Sequence, residues 1–193
     1  MGGGHAPGTG RRGTSEFPAS WDRDRIMATI LDVAKRPDER PRRLPNGRWR
    51  TAGTRDGVDV VVLLDAAGEV FTAYPTGGPG VTRNPDTAAD PANPTLADLV
   101  AGGVGHFAAA LLDSLADRLD AADLAHYREL HWSGEWEELA DELAAHLTAR
   151  PFPLDADERD HLRRLLTGFD TPLAGHPYLN DRDRVLAAVT PPA

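Results

Sequence analysis

A segment rich in proline and glycine, residues 75–94, divides this chain into two parts of different character. It holds five prolines and few apolar side chains. Because proline has no amide hydrogen and glycine favours irregular backbone, such a segment interrupts both helices and strands. The sequence therefore predicts two domains, residues 1–85 and 95–193, joined by a linker at residues 86–94.

The region before the linker has the pattern of a helix followed by a sheet. Ser20 is the expected N-cap of a helix whose apolar residues recur at helical spacing and stop before Pro37. Three strands are predicted at residues 48–52, 58–64 and 69–74, because turn sequences containing Gly57 and Gly68 separate them. The almost wholly apolar middle strand should be central and covered on both faces. We predict an α+β domain, a helix plus an antiparallel sheet.

The region after the linker shows only helical signals. Helices are predicted at residues 95–119, 120–131, 134–149, 155–166 and 181–189, although glycines at 102, 103 and 105 interrupt the first pattern. Ser133 and Asp155 are the expected N-caps of the third and fourth helices. This half is predicted to be all-α, a small helical bundle.

Charge distinguishes the two halves as well. Residues 1–93 hold 13 Lys and Arg against 12 Asp and Glu, whereas residues 94–193 hold 8 against 18. A near-neutral half beside an acidic half indicates different partners.

The chain has no cysteine, no apolar run of membrane-spanning length and no signal-peptide pattern. Its histidines match no metal-binding spacing. We therefore expect no metal, no cofactor, no membrane contact and a cytoplasmic location for the acidic half.

A glycine-rich loop at residues 2–8 carries His5. Backbone amides of such a loop can bind an anion, and an imidazole can transfer protons. Phe17, Pro18 and Trp21 follow, and then the segment 71–75. The order and spacing of these three segments resemble the bacterial EndoU-type endoribonuclease domain found at the C-termini of secreted polymorphic toxins. The resemblance covers residues 2–85 and implies that the substrate is RNA and not DNA.

The resemblance also implies roles for individual residues. RNA cleavage through the 2′-OH needs a base, an acid and a cation near the phosphate. His5 matches the second of two family histidines, and Thr72 and Tyr74 match a terminal Ser/Thr-x-Tyr pair that binds base or phosphate. The first family histidine would lie upstream of Gly2, so we expect an incomplete catalytic set that belongs to a longer, secreted toxin.

Phosphate binding is expected from the loop and from nearby cations. The candidates are Gly3, Gly4, Arg12 and Lys35, because Thr14 stands where relatives often carry a lysine. Trp49 lies between Arg48 and Arg50 and is either a base-stacking side chain or an ordinary strand residue that covers core.

The acidic half carries three ordered motifs. These are Tyr127-Arg128-Glu129, Gly134-Glu135-Trp136 and the segment 153–158. Their order resembles MafI-type immunity proteins over residues 106–170 and implies a cognate toxin domain as partner, in cis or in trans. Carboxylates on one helix face would complement a basic RNA-binding cleft. The expected interface residues are Glu135, Glu137, Glu138, Asp141 and Glu142, and the alternative is a merely solvated face.

Three hypotheses follow for the whole chain. The first is a truncated EndoU-like ribonuclease toxin domain fused to its immunity-like domain, self-neutralised or catalytically incomplete. The second is an immunity or interaction protein whose N-terminal part is a non-catalytic scaffold. The third is an active ribonuclease in which Asp22 or Glu16 supplies the second catalytic base.

Overall fold

The computed structural model describes residues 4–85 and 96–189, with residues 96–102 described as backbone only. The chain divides into two compact units, Met1–Pro85 and Asp86–Ala193, and each is described by itself. The linker predicted at residues 86–94 lies outside the described residues. The assignment of the two units as separate domains therefore stays a prediction.

The first unit combines one helix with two antiparallel sheets, which confirms the α+β organisation predicted for it. A four-stranded sheet has the order β2-β3-β4-β5, and a two-stranded sheet pairs β1 with β6. The elements are β1 (Ser15–Glu16), α1 (Arg23–Lys35), β2 (Arg42–Arg43), β3 (Trp49–Arg55), β4 (Val58–Leu64), β5 (Val70–Gly77) and β6 (Thr82–Arg83).

The strands β3 and β5 run further than predicted because their pairing with β4 continues to the turns. Asp56 and Gly57 both have positive φ, the conformation that a two-residue hairpin turn requires, so β3 extends to Arg55. Pro75 lies within β5, opposite Val60 and beside a register shift. Because β5 is an edge strand, this proline is tolerated there.

Helix α1 covers one face of the sheet. Its apolar residues Ile26, Ile30 and Val33 pack with alternate residues of β4, and Phe17 and Trp21 belong to the same core cluster. The other face of β4 is buried as well, so the prediction of a central strand with both faces covered is confirmed. The helix begins two residues later than expected. Its N-cap is Asp22, whose Oδ1 accepts the Arg25 amide at 2.8 Å.

The described residues of the second unit form helices joined by loops, with no strand among them, as predicted. Its elements are α2 (Leu96–Ser114), α3 (Ala121–Ser133), α4 (Trp136–Ala149), α5 (Ala156–Thr167), α6 (Pro177–Asn180) and α7 (Arg182–Ala188). The glycines at 102, 103 and 105 do not interrupt α2. Gly105 lies against the Trp136 ring, and a Cβ there would stand 3.1 Å from it, so glycine permits the close packing of α2 on α4.

Two helix ends show where local signals succeed and fail. Asp155 and Glu158 form the predicted N-terminal cap of α5, with each side chain bonded to the other's backbone amide. Ser133, by contrast, is a buried residue at the end of α3 and does not cap α4. Gly134 adopts positive φ, and the Glu135 amide donates to the Leu130 carbonyl at 3.0 Å, which ends α3 in a Schellman motif.

Candidate functional site

A groove of about 740 Å³ lies in the first unit between α1, the edge strand β5 and the N-terminal loop. Its walls are mostly apolar, and His5, Arg23 and Thr72 are the polar side chains among them, a composition common in binding sites. The lining residues are Gly4, His5, Ala6, Pro7, Phe17, Arg23, Ile26, Met27, Ile30 and the β5 segment 70–73. The glycine-rich loop and the Thr72 segment, predicted to act together, therefore meet in one groove.

Hydrogen bonds to backbone groups hold His5 in the lining of this groove. Its Nδ1–H donates to the Ser15 carbonyl at 2.7 Å, and its own carbonyl accepts the Phe17 amide at 2.9 Å. Because a carbonyl can only accept, this bond assigns the proton of the neutral ring to Nδ1. The lone pair that can take or return a proton then lies on Nε2. The ring is thus oriented for proton transfer through one defined nitrogen.

The two hydroxyl residues of β5 that the resemblance singles out occupy different environments. Thr72 is half-buried and lines the groove with His5. Tyr74 is fully buried, and its ring lies 5.8 Å from the His5 ring, centroid to centroid. A side chain with no exposure does not contact a substrate directly. The structure therefore favours a role for Tyr74 in positioning His5, in place of the predicted role in binding base or phosphate.

The glycine-rich loop is organised around Glu16. The Glu16 carboxylate accepts the amides of Gly8 and Gly10, both at 2.7 Å, and the Thr9 hydroxyl at 2.6 Å. The Asn84 side-chain amide donates to it at 2.8 Å. Burial opposes ionisation, but the hydrogen bonds from Thr9, Asn84 and the two glycine amides outweigh it and lower the pKa of Glu16. These loop amides bind a carboxylate of the chain itself, where the sequence had suggested a phosphate.

The glycines singled out for phosphate binding lie nearer the start of the chain. Gly4 lines the groove, and its carbonyl oxygen lies 3.4 Å from the Thr9 hydroxyl, whose single proton is donated to Glu16. Gly3 lies outside the described residues. Gly4 therefore remains a candidate backbone contact for a ligand in the groove.

The cation that lines the groove is Arg23, which the sequence had not suggested. Neither Arg12 nor Lys35 is among the lining residues, and Lys35 is exposed in the last turn of α1. Arg23 is exposed in the first turn of α1 and, within the described residues, has no hydrogen-bond or ion-pair partner. A cation is unfavourable at a helix N-terminus. That local conflict was the signal that could have marked Arg23 as functional.

Both carboxylates considered as a second catalytic base have structural partners. Asp22 caps α1, and Glu16 holds the loop through four donors with a lowered pKa. A general base works best with a pKa near the working pH, so Glu16 is poorly suited to that role.

Trp49 is 41% exposed, whereas Arg48 is buried with its guanidinium 3.6 Å from the Phe71 ring centroid. Arg48 is therefore not available to a phosphate beside Trp49.

The prediction that five carboxylates form an exposed face of α4 is wrong for three of them. Glu138, Asp141 and Glu142 are buried. Asp141 accepts the amides of Tyr178 and Leu179 at 2.8 and 2.9 Å, at the start of α6. The local acidic pattern could not show this, because those amides lie 37 and 38 residues further along the chain.

Glu138 and Glu142 each face a histidine. His126 Nε2 lies 3.0 Å from Glu142 Oε2, and His176 Nε2 lies 3.5 Å from Glu138 Oε2. Burial raises the pKa of Glu142 to about 7. Burial lowers the pKa of His126, but Glu142 and Glu129 outweigh it and raise that pKa. Glu135 and Glu137 are half-buried and are the remaining members of the predicted acidic face.

No group of three or more His, Cys, Asp or Glu side chains within residues 4–85 and 103–189 is arranged to hold a metal ion. In the part of the chain that the structure describes, no helix is long and apolar enough to cross a membrane.

The part of the chain that matches a known protein family is the part that forms the groove. Residues 1–77 match the family model described as bacterial EndoU nuclease, and these residues include every segment that lines the groove. The N-terminal part of the chain is thus similar to bacterial EndoU nucleases, a family of toxin-type endoribonucleases that act on RNA. No curated protein matches the chain, nor does any solved structure. The resemblance of the acidic half to MafI-type immunity proteins stays a prediction.

Proposed function

We propose that residues 1–85 form an EndoU-type ribonuclease toxin domain that holds RNA in the groove between α1 and β5. The observation that carries the proposal is the convergence of His5, Thr72 and Arg23 on one groove. The match of residues 1–77 to bacterial EndoU nucleases supports RNA as the ligand.

Each side chain has a defined task in this proposal. His5 transfers a proton through Nε2, because Nδ1 is bonded to the Ser15 carbonyl. Arg23 binds the phosphate and stabilises negative charge that develops on it. The Thr72 hydroxyl bonds to base or phosphate, and Tyr74 holds the His5 ring.

The acid–base set in this unit is incomplete. Cleavage through the 2′-OH needs one group to accept a proton and another to donate one. His5 is the single histidine in residues 1–85, and both Glu16 and Asp22 have structural partners. We therefore expect the 193-residue chain to bind RNA without appreciable cleavage.

The test replaces Arg23 by alanine and measures binding of a fluorescent single-stranded RNA to the full chain. We expect the affinity to fall about tenfold, because a charge-assisted bond to phosphate is lost. The slope of log affinity against log salt concentration should fall by about 0.7, since one fewer counterion is released.

Arg25→Ala is the matched control. Arg25 lies in the same helical turn, but it pairs with Asp56 at 2.8 Å, stacks over Trp21 and does not line the groove. Its loss should leave RNA binding unchanged. Equal binding by wild type and Arg23→Ala would contradict the RNA-binding role of the groove. Metal-independent release of 2′,3′-cyclic phosphate ends that is lost in His5→Ala would support the third hypothesis, an active ribonuclease.

For the helical half, we propose an immunity-like domain that neutralises an intact cognate EndoU-type domain in trans and acts in the cytoplasm of the producing cell. The support is its charge, 18 acidic against 8 basic residues in 94–193, which complements an RNA-binding surface. The alternative is a stand-alone immunity protein with a non-catalytic N-terminal scaffold. A scaffold would not bind RNA in the groove, so a loss of RNA binding in Arg23→Ala would exclude this alternative.

Reversal of Glu135 and Glu137 to lysine tests the immunity proposal. The full chain should bind an intact EndoU-type domain of the same lineage, and the double reversal should weaken that binding most strongly at low salt, where charges are least screened. Asp157→Lys, an exposed reversal in the first turn of α5, is the control. Absence of binding at low salt in a pull-down assay would rule the immunity proposal out.

A further inference from the structure

A row of side chains crosses one end of the four-stranded sheet and begins at the groove. The strand register pairs Val70 with Leu64, Leu64 with Trp49, and Trp49 with Arg43. Directly paired residues of antiparallel strands point to the same face. The four side chains therefore share one face across β5, β4, β3 and β2, the face on which α1 packs. Leu64 and Val70 are half-buried against the α1 core, and Val70 also lines the groove.

The far end of this row is exposed, aromatic and cationic. Trp49 is 41% exposed, one of two large apolar side chains exposed to this degree within the described residues. Arg43 beside it is exposed and, in the described part of the chain, has no hydrogen-bond or ion-pair partner. Residues 40–50 hold five arginines and no carboxylate, in a chain whose net charge is −9. Of these, Arg48 is buried and Arg50 pairs with Glu39 at 3.3 Å. This local charge matches a polyanion.

We propose that the row from Val70 to Arg43 is an extension subsite for single-stranded RNA, on which Trp49 stacks a base and Arg43 binds a phosphate. The inference rests on the proposed function, because the RNA chain would be bound in the groove and would continue from there along the row. Adjacent strands are about 4.8 Å apart, so Trp49 stands about 10 Å from the groove wall at Val70. An aromatic platform beside a cation is how proteins bind single strands with little base preference.

A contact of Arg48 fixes the spacing between this row and the groove. Its guanidinium stacks on Phe71 at 3.6 Å, and Phe71 lines the groove next to Val70. This contact joins the residue just before Trp49 to the wall of the groove. The subsite and the groove are therefore parts of one sheet end, held at a set distance from each other.

The experiment compares a dinucleotide, which fills only the groove, with a single-stranded RNA of about ten nucleotides, which also spans the row. Trp49→Ala should weaken binding of the longer RNA about tenfold and leave dinucleotide binding unchanged, since one base loses its stacking partner. Trp49→Phe should retain most of the affinity. Arg43→Ala should lower the salt slope for the longer RNA by about 0.7.

Arg25→Ala is again the control, and thermal unfolding of each variant verifies the fold. If Trp49→Ala and Arg43→Ala bind the longer RNA as tightly as wild type while Arg23→Ala does not, the subsite is wrong and the groove stands. If the wild-type chain binds neither RNA, the proposed function fails and the subsite fails with it. A loss of dinucleotide binding in correctly folded Trp49→Ala would also overturn the subsite, because it would assign Trp49 to the groove itself.

Discussion

Replacement of His126 by alanine is expected to lower the free energy of unfolding of the helical unit by about 3–5 kcal/mol. His126 on α3 faces Glu142 on α4 across 3.0 Å, and both side chains are buried. The variant leaves a carboxylate in the core without its partner, which costs more than the pair contributed. Chemical denaturation followed by circular dichroism at helical wavelengths measures the change.

The double variant His126→Leu with Glu142→Leu distinguishes this cause from simple loss of packing. Replacing both members of a buried pair by apolar residues is often neutral or stabilising, so the double variant should unfold close to wild type. His131→Ala on the same helix is the control. It removes the hydrogen bond from His131 Nε2 to the Gly105 carbonyl and an edge-to-face contact with the Trp136 ring, and should cost about 1–2 kcal/mol. A double variant as unstable as His126→Ala would contradict the explanation.

The same pair gives the unfolding free energy a defined dependence on pH. Both pKa values are raised in the folded state, to about 7 for Glu142 against an ordinary 4.5, and above an ordinary 6.5 for His126. The folded protein thus holds more protons than the unfolded chain near neutrality. The contribution of Glu142 to the free energy of unfolding therefore falls as pH rises from about 4.5 to 7. The contribution of His126 is lost as pH rises through its raised folded-state pKa. The double leucine variant should lose this dependence.

Replacement of Glu16 by alanine is expected to have the second largest effect, a loss of about 2–3 kcal/mol in the first unit. Four donors from the N-terminal loop and Asn84 lose their acceptor together. Amide hydrogen exchange should show residues 8–16 losing protection, and RNA affinity should fall because His5 belongs to the same loop. Glu39→Ala is the control, since Glu39 is exposed and makes one ion pair with Arg50 at 3.3 Å.

The sign of the pH dependence is opposite for Glu16. Its pKa is lowered in the folded state, so its contribution is present above the ordinary value of 4.5 and is lost as pH falls through the lowered pKa. The difference between wild type and Glu16→Ala should shrink in acid. A difference that stays constant below that range would contradict the structural role of the ionised carboxylate.

Several features of the fold follow from short stretches of sequence. The bounds of β4 at residues 58–64 were predicted correctly, because an apolar run lies between glycine-containing turns. The cap of α5 at Asp155 is likewise local, since both partners lie within four residues. The pairing of the glycine-rich loop with the β5 segment came from the family resemblance, and the groove brings the two together.

Other features depended on contacts between residues far apart in the chain. Glu138, Asp141 and Glu142 form an acidic pattern in sequence, yet they are buried because their partners come from α3 and from the α6 region. The loop amides of Gly8 and Gly10 bind Glu16, where the sequence predicted phosphate binding by the glycine-rich loop. Residue type and spacing predicted the longer helices and strands, but not β1 and β6, which form by pairing Ser15 with Arg83. The packing of those elements decides which charges face each other and, at Arg23, which one faces the groove.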